Sequence, residues 1–306
     1  MDLDTSAASH EPTVTPAAAE NGPLSRMTAE PTEVPAPPPQ LDTGAPPERV
    51  RQFVYAIGRI DARFPSLSVE KEFAQATGRA ETAQLTDRQA AQAVLSDPAN
   101  RYLARRMCWV LTIEGMDTYL LVPRDETDLD LLLGALRPSP SRSDTDVVIG
   151  TLGPLAPSEK CGGLVVPMVV FDQIYSFDTE SFIAQIPPPD EVDAGVFLET
   201  ASELFDRITQ LADNAGNSDE HRALNYLTMR YPEIYAATAR QHARNSSLTD
   251  VEAFPSPLSG VRTVITAVFT YTDRNTNFVE KFAAQVDTTE VFPFLATPGF
   301  NPYYDH

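Results

Sequence analysis

The sequence predicts an α+β domain in which helices mix with antiparallel β-hairpins, preceded by a disordered tail. β-rich runs come in pairs around short polar turns, as in 107–113 and 117–122. Apolar residues recur at helical spacing elsewhere, most clearly in 197–212. Strands and helices do not alternate regularly, which argues against a doubly wound βαβ fold.

Residues 1–48 form the predicted tail, and residues 49–306 the domain. Ten of the 27 prolines lie in the tail, among Ala, Thr, Ser and Glu with few apolar residues. Such a segment buries too little apolar surface to offset its ordering entropy, so we expect disorder. The alternative for Pro35–Pro39 is a polyproline II docking site.

The first half of the domain mixes helices with short strands. Residues 50–60 fit either a helix or a strand, whereas 67–77 and 86–96 are predicted helices. Thr86 and Gln89 have the spacing of a capping box at the start of the second helix. A hairpin follows, turning at Glu114-Gly115. Further elements are a helix over 128–136 and strands over 146–150 and 163–171, where Pro167 indicates an edge or a bulge.

The second half is predicted to be helical and then β. After the 197–212 helix, Asn217 or Ser218 begins a helix that ends before Pro232, and Pro232 opens a third helix reaching about Arg244. Residues 261–271 and 277–287 alternate as a long hairpin around a polar turn. We expect one face of the first strand to carry Val261, Thr263, Ile265, Ala267, Phe269 and Tyr271, and one face of the second to carry Phe278, Phe282, Ala284 and Val286.

The net charge of −20 and the pI of about 4.5 bear on the partners. Nucleic-acid binding relies on Lys and Arg that neutralise phosphates, so we expect no nucleic acid and no anionic membrane as partner. No apolar run approaches the length of a membrane span, and the N-terminus has no secretory signal. We therefore expect a cytoplasmic protein. In that compartment the two cysteines, Cys108 and Cys161, are expected to be free thiols.

Several long segments resemble the C-terminal domain of PatG-type cyanobactin maturation proteins. They occur in the expected order over most of residues 51–306 and leave residues 1–48 uncovered. The segments are YAIGRI at 55–60, FPSLSVEKEFAQATGR at 64–79, RYLARRMCWVLTIEG at 101–115, DVVIGTLGPLAP at 146–157, KCGGLVVPMVVFDQIYSFD at 160–178, DNAGNSDEHRALNYLTMRYPEIYA at 213–236, RNTNFVEKF at 274–282 and PYYD at 302–305.

The resemblance implies a pathway rather than a reaction. The full-length proteins join a subtilisin-like macrocyclase to this domain, but the chain has no Gly-Thr-Ser nucleophile motif and no His or Asp signature of that protease. We therefore expect a stand-alone version or a piece of a larger assembly. The family implies biosynthesis of ribosomally made, modified peptides, and it treats this domain as one of unknown function.

Candidate chemistry centres on Cys108, Cys161 and His221. Thiolate and imidazole ligands suit tetrahedral Zn²⁺, with a water or Asp219 as the fourth ligand. The sequence has no short-spaced ligand motif, so buried thiols and a histidine at a helix start are the simpler interpretation. Two further alternatives are a Cys161–His221 nucleophilic pair and an acid–base set of Asp219, Glu220 and His221.

Three functions remain open from the sequence. The leading hypothesis is a non-catalytic accessory domain that binds a modified precursor peptide or another peptide-tailoring protein. The second is a zinc-dependent enzyme acting on such peptides at Cys108, Cys161 and His221. The third is an oligomerisation scaffold, for which a homodimer is the expected arrangement. No glycine motif indicates a nucleotide cofactor.

Overall fold

The computed structural model describes residues 52–78, 85–257 and 259–304, all within one compact unit. The predicted tail over 1–48 lies outside these residues. The described part contains a closed barrel, a layer of helices and an antiparallel sheet, so the predicted α+β class is confirmed.

Five strands close the barrel in the order β1-β2-β3-β5-β4, with β4 pairing back to β1. All pairings are antiparallel except that of β3 with β5, which is a short parallel ladder. The segment over 50–60, which the sequence left as helix or strand, forms the first strand. The strands are β1 Phe53–Arg63, β2 Cys108–Ile113, β3 Met116–Val122, β4 Asp144–Leu155 and β5 Pro167–Asp178.

The predicted hairpin is confirmed as β2 and β3. Glu114 and Gly115 both have positive φ, of 48° and 78°, the backbone twist that a two-residue hairpin turn needs. Pro167 is the first residue of β5 and faces Leu155 across an irregular part of the ladder. That position suits a residue that has no N–H to donate.

Helices in the first half of the domain pack on the barrel strands. Apolar residues of β1, β2 and β3 form one core with these helices, in which Trp109, Leu111 and Leu132 are almost fully buried. The capping box of Thr86 and Gln89 is present in full. The helices are α1 Leu67–Thr77, α2 Asp87–Leu95, α3 Arg101–Arg106 and α4 Leu129–Ala135, with a single 3-10 turn at Pro98–Asn100.

The helices of the second half follow local capping chemistry. Asp193 and Ser218 accept hydrogen bonds from the first-turn N–H groups of the second and third of these helices. Pro232 lies directly before the last one, as its missing N–H permits. The helices are α5 Thr179–Ala184, α6 Ala194–Thr209, α7 Asp219–Arg230 and α8 Glu233–Ala243.

The C-terminal sheet has the order β10-β8-β7-β6, with β9 also pairing to β8. Ile265, Ala267, Phe269 and Tyr271 face the core as predicted. Val261 and Phe278 precede their strands and are exposed, so the prediction was wrong for these two. The paired part of the hairpin is shorter than the alternation suggested. The strands are β6 Ser246–Pro255, β7 Val264–Asp273, β8 Val279–Asp287, β9 Phe294–Leu295 and β10 Asn301–Pro302.

Helices α6, α7 and α8 share a core with both β structures. Tyr55 and Ile149 on the barrel, Leu204 and Leu227 on the helices, and Phe269 on the sheet all belong to this core. The helical layer therefore joins the barrel wall to the C-terminal sheet. No helix in the described ranges is long and apolar enough to cross a bilayer.

Candidate functional site

The two cysteines are joined to each other in a disulfide. Cys108 begins β2, and Cys161 lies in the loop between β4 and β5, with a Cα–Cα distance of 5.9 Å. Gly162 and Gly163 have positive φ, and this conformation turns the loop back on itself. The expectation of free thiols was wrong. It rested on the expected compartment, whereas the path of this loop brings the two cysteine side chains together.

His221 lies in the first turn of α7. Its main-chain N–H donates to the Ser218 hydroxyl at 3.1 Å, which is ordinary helix capping. Burial lowers the pKa of the His221 imidazole, and the charges of Glu220 and Asp213 partly oppose this. Asp219 accepts a hydrogen bond from Arg222 at 2.8 Å, so it is occupied by a neighbour in its own helix.

The structure does not bring the candidate metal ligands together. Both sulfurs are bonded to each other, so neither is available as a thiolate. Within the described ranges no three His, Cys, Asp or Glu side chains are grouped so that they could hold a metal ion. A zinc site at Cys108, Cys161 and His221 stays a prediction that concerns the reduced protein.

A cleft of about 600 Å³ lies where the barrel wall, α5 and the C-terminal end of α7 meet. This volume falls in the range of about 300–1,000 Å³ that is usual for ligand sites. We call it the Arg230 cleft. Its main lining residues are Tyr55, Arg137, Tyr175, Phe182, Gln185, Met229 and Arg230.

Arg230 ends α7 and contacts the phenol of Tyr175. Its guanidinium carbon lies 5.3 Å from the centre of the Tyr175 ring, a cation–π contact. Its Nη2 donates to the Tyr175 hydroxyl at 3.4 Å, and its charge also acts on the nearby Tyr55 phenol. Across the described residues, no carboxylate forms a salt bridge with Arg230. An exposed guanidinium is thus oriented at the cleft while its charge is uncompensated.

Tyr55 supplies the buried side of this arrangement. Its side chain is 2% exposed, and burial raises the pKa of its phenol, which the Arg230 charge only partly offsets. The hydroxyl therefore stays protonated at neutral pH. Tyr175 is 37% exposed, so the cleft is open to ligands on that side.

Arg137 brings a second guanidinium to the cleft, directly after α4. Its Nε lies 3.3 Å from Asp144, which compensates its charge. Its Nη1 is shielded from solvent and has no hydrogen-bond partner within the described part of the chain. This nitrogen is therefore buried without an acceptor.

The carboxylate of Asp178 also lines the cleft, but it is occupied. It accepts hydrogen bonds from the Ser143 hydroxyl and from Ser181, where it caps α5. These hydrogen bonds lower the pKa of Asp178 to about 2. The described lining residues include neither His nor Cys, and the cleft offers hydrogen-bond donors, two guanidinium groups and aromatic walls.

Two other large cavities do not indicate the class of a ligand as clearly as the Arg230 cleft does. A groove of about 930 Å³ between α1 and α2 extends to Gly78, the last residue of the first described range. A polar cleft of about 900 Å³ is lined by three arginines and five carboxylates, including the paired Arg88 and Asp61. This mixture of charges does not indicate one class of ligand.

Sequence reasoning missed the Arg230 cleft. Tyr55, Tyr175 and Arg230 come from β1, β5 and α7, and nothing in their spacing indicates that they meet. One signal was present: all three lie inside segments that resemble the family, in YAIGRI, in the segment ending QIYSFD and in the segment containing TMRYPEIYA. Arg137 lies outside these segments.

The fold and the cleft define an α+β domain in which a helical layer joins a closed barrel to an antiparallel sheet. The model of the PatG domain family matches residues 53–254, and the chain belongs to this family. A comparison with curated proteins gave no match. A solved structure described as "PatG Domain of Unknown Function" is similar, with a TM-score of 0.66 and 20% identity over 82% of this chain and 98% of that chain. At this identity the likeness shows the fold.

Proposed function

We propose that the chain is a non-catalytic accessory domain that binds peptides in the biosynthesis of ribosomally made, post-translationally modified peptides. Membership of the PatG domain family supports the pathway, since it fits a cyanobactin-type maturation context. The observation that carries the binding role is the Arg230–Tyr175 stack at the edge of an open, aromatic cleft.

The walls of the cleft favour a peptide over a small polar metabolite. Phe182 and Met229 are half-buried side chains that pack against the core while lining the cleft. Aromatic and methionine side chains are typical of surfaces that accept varied apolar partners. Between them, Gln185 is exposed and offers an amide that suits a peptide backbone.

The cleft supports binding rather than turnover. Catalysis of acyl transfer requires a nucleophile or an activated water, together with a positioned base. The titratable lining groups are two arginines, two tyrosines and Asp178, and the hydrogen bonds of Asp178 are already used within the fold. A domain that holds a peptide for another enzyme of the pathway needs none of those catalytic groups.

Isothermal titration calorimetry with short linear peptides rich in Ile, Val and Phe tests this proposal. We expect saturable binding by the full chain, weakened by Met229→Ala and unchanged by Leu198→Ala, an exposed residue of α6 outside the cleft. The peptide should be recovered with its mass unchanged after prolonged incubation. Absence of binding at millimolar peptide, or a change in peptide mass, would contradict the proposal.

A further inference from the structure

The donors of Arg230 carry an inference that rests on the proposed peptide binding. A guanidinium has five N–H donors in a planar fork, which matches the two oxygens of a carboxylate. Here the Tyr175 hydroxyl uses only part of this capacity. The remaining donors face no carboxylate among the described residues.

The contacts of Arg230 with Tyr175 also favour binding of a ligand. The cation–π contact and the hydrogen bond to Tyr175 both restrict the Arg230 guanidinium. A side chain that is already ordered loses less entropy when it binds a ligand. An arginine side chain that is already ordered and has no carboxylate partner is preorganised to bind a planar anion.

The charge of the chain bears on this position. The net charge is −20, and most of the described arginines form a salt bridge with Asp or Glu, whereas Arg230 is among those that form none. Salt screens distant charges over about 8–10 Å, so a bound anion responds mainly to the groups in the cleft. Those groups are Arg230, Arg137, whose charge Asp144 compensates, and Asp178, whose oxygens accept hydrogen bonds from Ser143 and Ser181.

We infer that the Arg230 cleft binds a carboxylate of a linear peptide, and that this group is the free C-terminal carboxylate. Arg230 donates hydrogen bonds to the two carboxylate oxygens, and the last side chain of the peptide packs between Tyr175, Phe182 and Met229. A cyclic or amidated peptide lacks the terminal group. The domain therefore distinguishes open-chain peptides from closed ones.

The test compares peptides that differ only at the carboxylate. Calorimetry on the full chain would use acetyl-Ala-Ile-Phe with a free carboxylate and the same peptide as its C-terminal amide. A third peptide, acetyl-Ala-Glu-Phe amide, carries its carboxylate on a side chain. We expect the free acid to bind at least about tenfold more tightly than the amide, the loss expected for one charge-assisted pair. The side-chain carboxylate should not restore the affinity.

The variants localise the effect. Arg230→Gln should weaken binding of the free acid to the level of the amide, and Arg230→Lys should give an intermediate affinity because it keeps the charge and loses the fork. Arg244→Gln, at an exposed position after α8, is the matched control and should change nothing. Unchanged melting temperatures confirm that each variant folds.

The outcomes separate this inference from the proposed function. Equal binding of acid and amide, unaffected by Arg230→Gln, overturns the carboxylate inference and leaves peptide binding standing. Equal binding of the terminal and the side-chain carboxylate overturns the assignment to the C-terminus. If none of the three peptides binds, both the inference and the proposed function fail.

Discussion

The side-chain amide of Asn225 donates to the main-chain carbonyl of Tyr55 at 2.8 Å. The N–H of the same tyrosine donates to the carbonyl of Gly216, also at 2.8 Å. At this point β1 pairs with β4 on one side only, because its pairing with β2 begins at Arg59. The α6–α7 loop and α7 thus complete the open edge of the strand that carries Tyr55 into the cleft.

We expect Asn225→Leu to destabilise the domain by about 3 kcal/mol, because each of two buried polar groups loses a partner worth about 1–3 kcal/mol. These groups are the Tyr55 carbonyl and the side chain of Asn214, which pairs with Asn225 at 2.8 Å. Urea denaturation gives the free energy of unfolding. A loss below about 0.5 kcal/mol would show that the bridge to β1 is dispensable.

Gly216 tests the same contact from the other side. A Cβ at this position would lie 2.3 Å from the Tyr55 oxygen, and the φ of 68° is unfavourable for any other residue. We expect Gly216→Ala to cost more than about 2 kcal/mol. Gly134→Ala is the control: its Cβ would meet nothing within 4 Å inside α4, so it should stabilise by about 0.5–1 kcal/mol. Two equal effects would contradict this explanation.

The Cys108–Cys161 disulfide closes a long loop, since the two residues are 53 positions apart. The chain-entropy model gives about 4 kcal/mol for a loop of this length. The Cys108→Ser/Cys161→Ser variant should therefore unfold at lower denaturant than the oxidised protein, and reductant should affect only the wild type. Native wild-type protein that alkylates at both cysteines without reductant would disprove the bond.

Reduced protein also allows a test of the zinc hypothesis. If Cys108, Cys161 and His221 bind zinc, elemental analysis of the reduced wild type should find about one zinc per chain, as a closed or open tetrahedral site requires. The double serine variant should then contain none. Equal zinc content in both proteins would exclude these cysteines as ligands.

Asp146 makes stability depend on pH. It lies almost fully buried on β4, where it accepts hydrogen bonds from the Ile60 N–H and the Ser176 hydroxyl. Burial raises the pKa of its carboxyl from an ordinary value of 3.8 to about 6. The folded state therefore binds more protons than the unfolded state between these values, and the associated stability is present below pH 3.8 and lost as the pH rises through 6.

Asp146→Asn removes this titration, since an amide can accept from Ile60 and donate to Ser176 without becoming charged. Relative to wild type, the variant should gain about 2 kcal/mol between pH 4 and pH 7, because each pKa unit corresponds to about 1.36 kcal/mol and part of the effect lies below pH 4. Unfolding free energies measured at several pH values would show it. A difference between the two proteins that does not change with pH would contradict the prediction.

Local chemistry explains what could be predicted from the sequence. Thr86 with Gln89 and Ser218 cap their helices as expected, because capping depends on residues within three positions. The turn at Glu114-Gly115 gave the hairpin for the same reason. The α+β class followed from these elements, since their order alone excludes a regular βαβ alternation.

Contacts between distant segments explain what could not be predicted. The parallel pairing of β3 with β5 joins residues 120–122 to 168–170, and no local pattern specifies such a partner. The expected compartment suggested free thiols, because nothing in the sequence indicated that the loop carrying Cys161 approaches Cys108. The Arg230 cleft was missed because Tyr55, Tyr175 and Arg230 meet only after the barrel and the helices have packed.

The pairing of β1 has a consequence for synthesis on the ribosome. Its Phe53 lies opposite Thr151, and Tyr55 needs Gly216 and Asn225 for its main-chain hydrogen bonds. β1 is thus completed only by residues that are synthesised much later, since Asn225 lies 170 positions after Tyr55. Until then its apolar side chains and open edge are exposed to other nascent chains. Yield of folded protein should depend on chaperones and on the rate of translation.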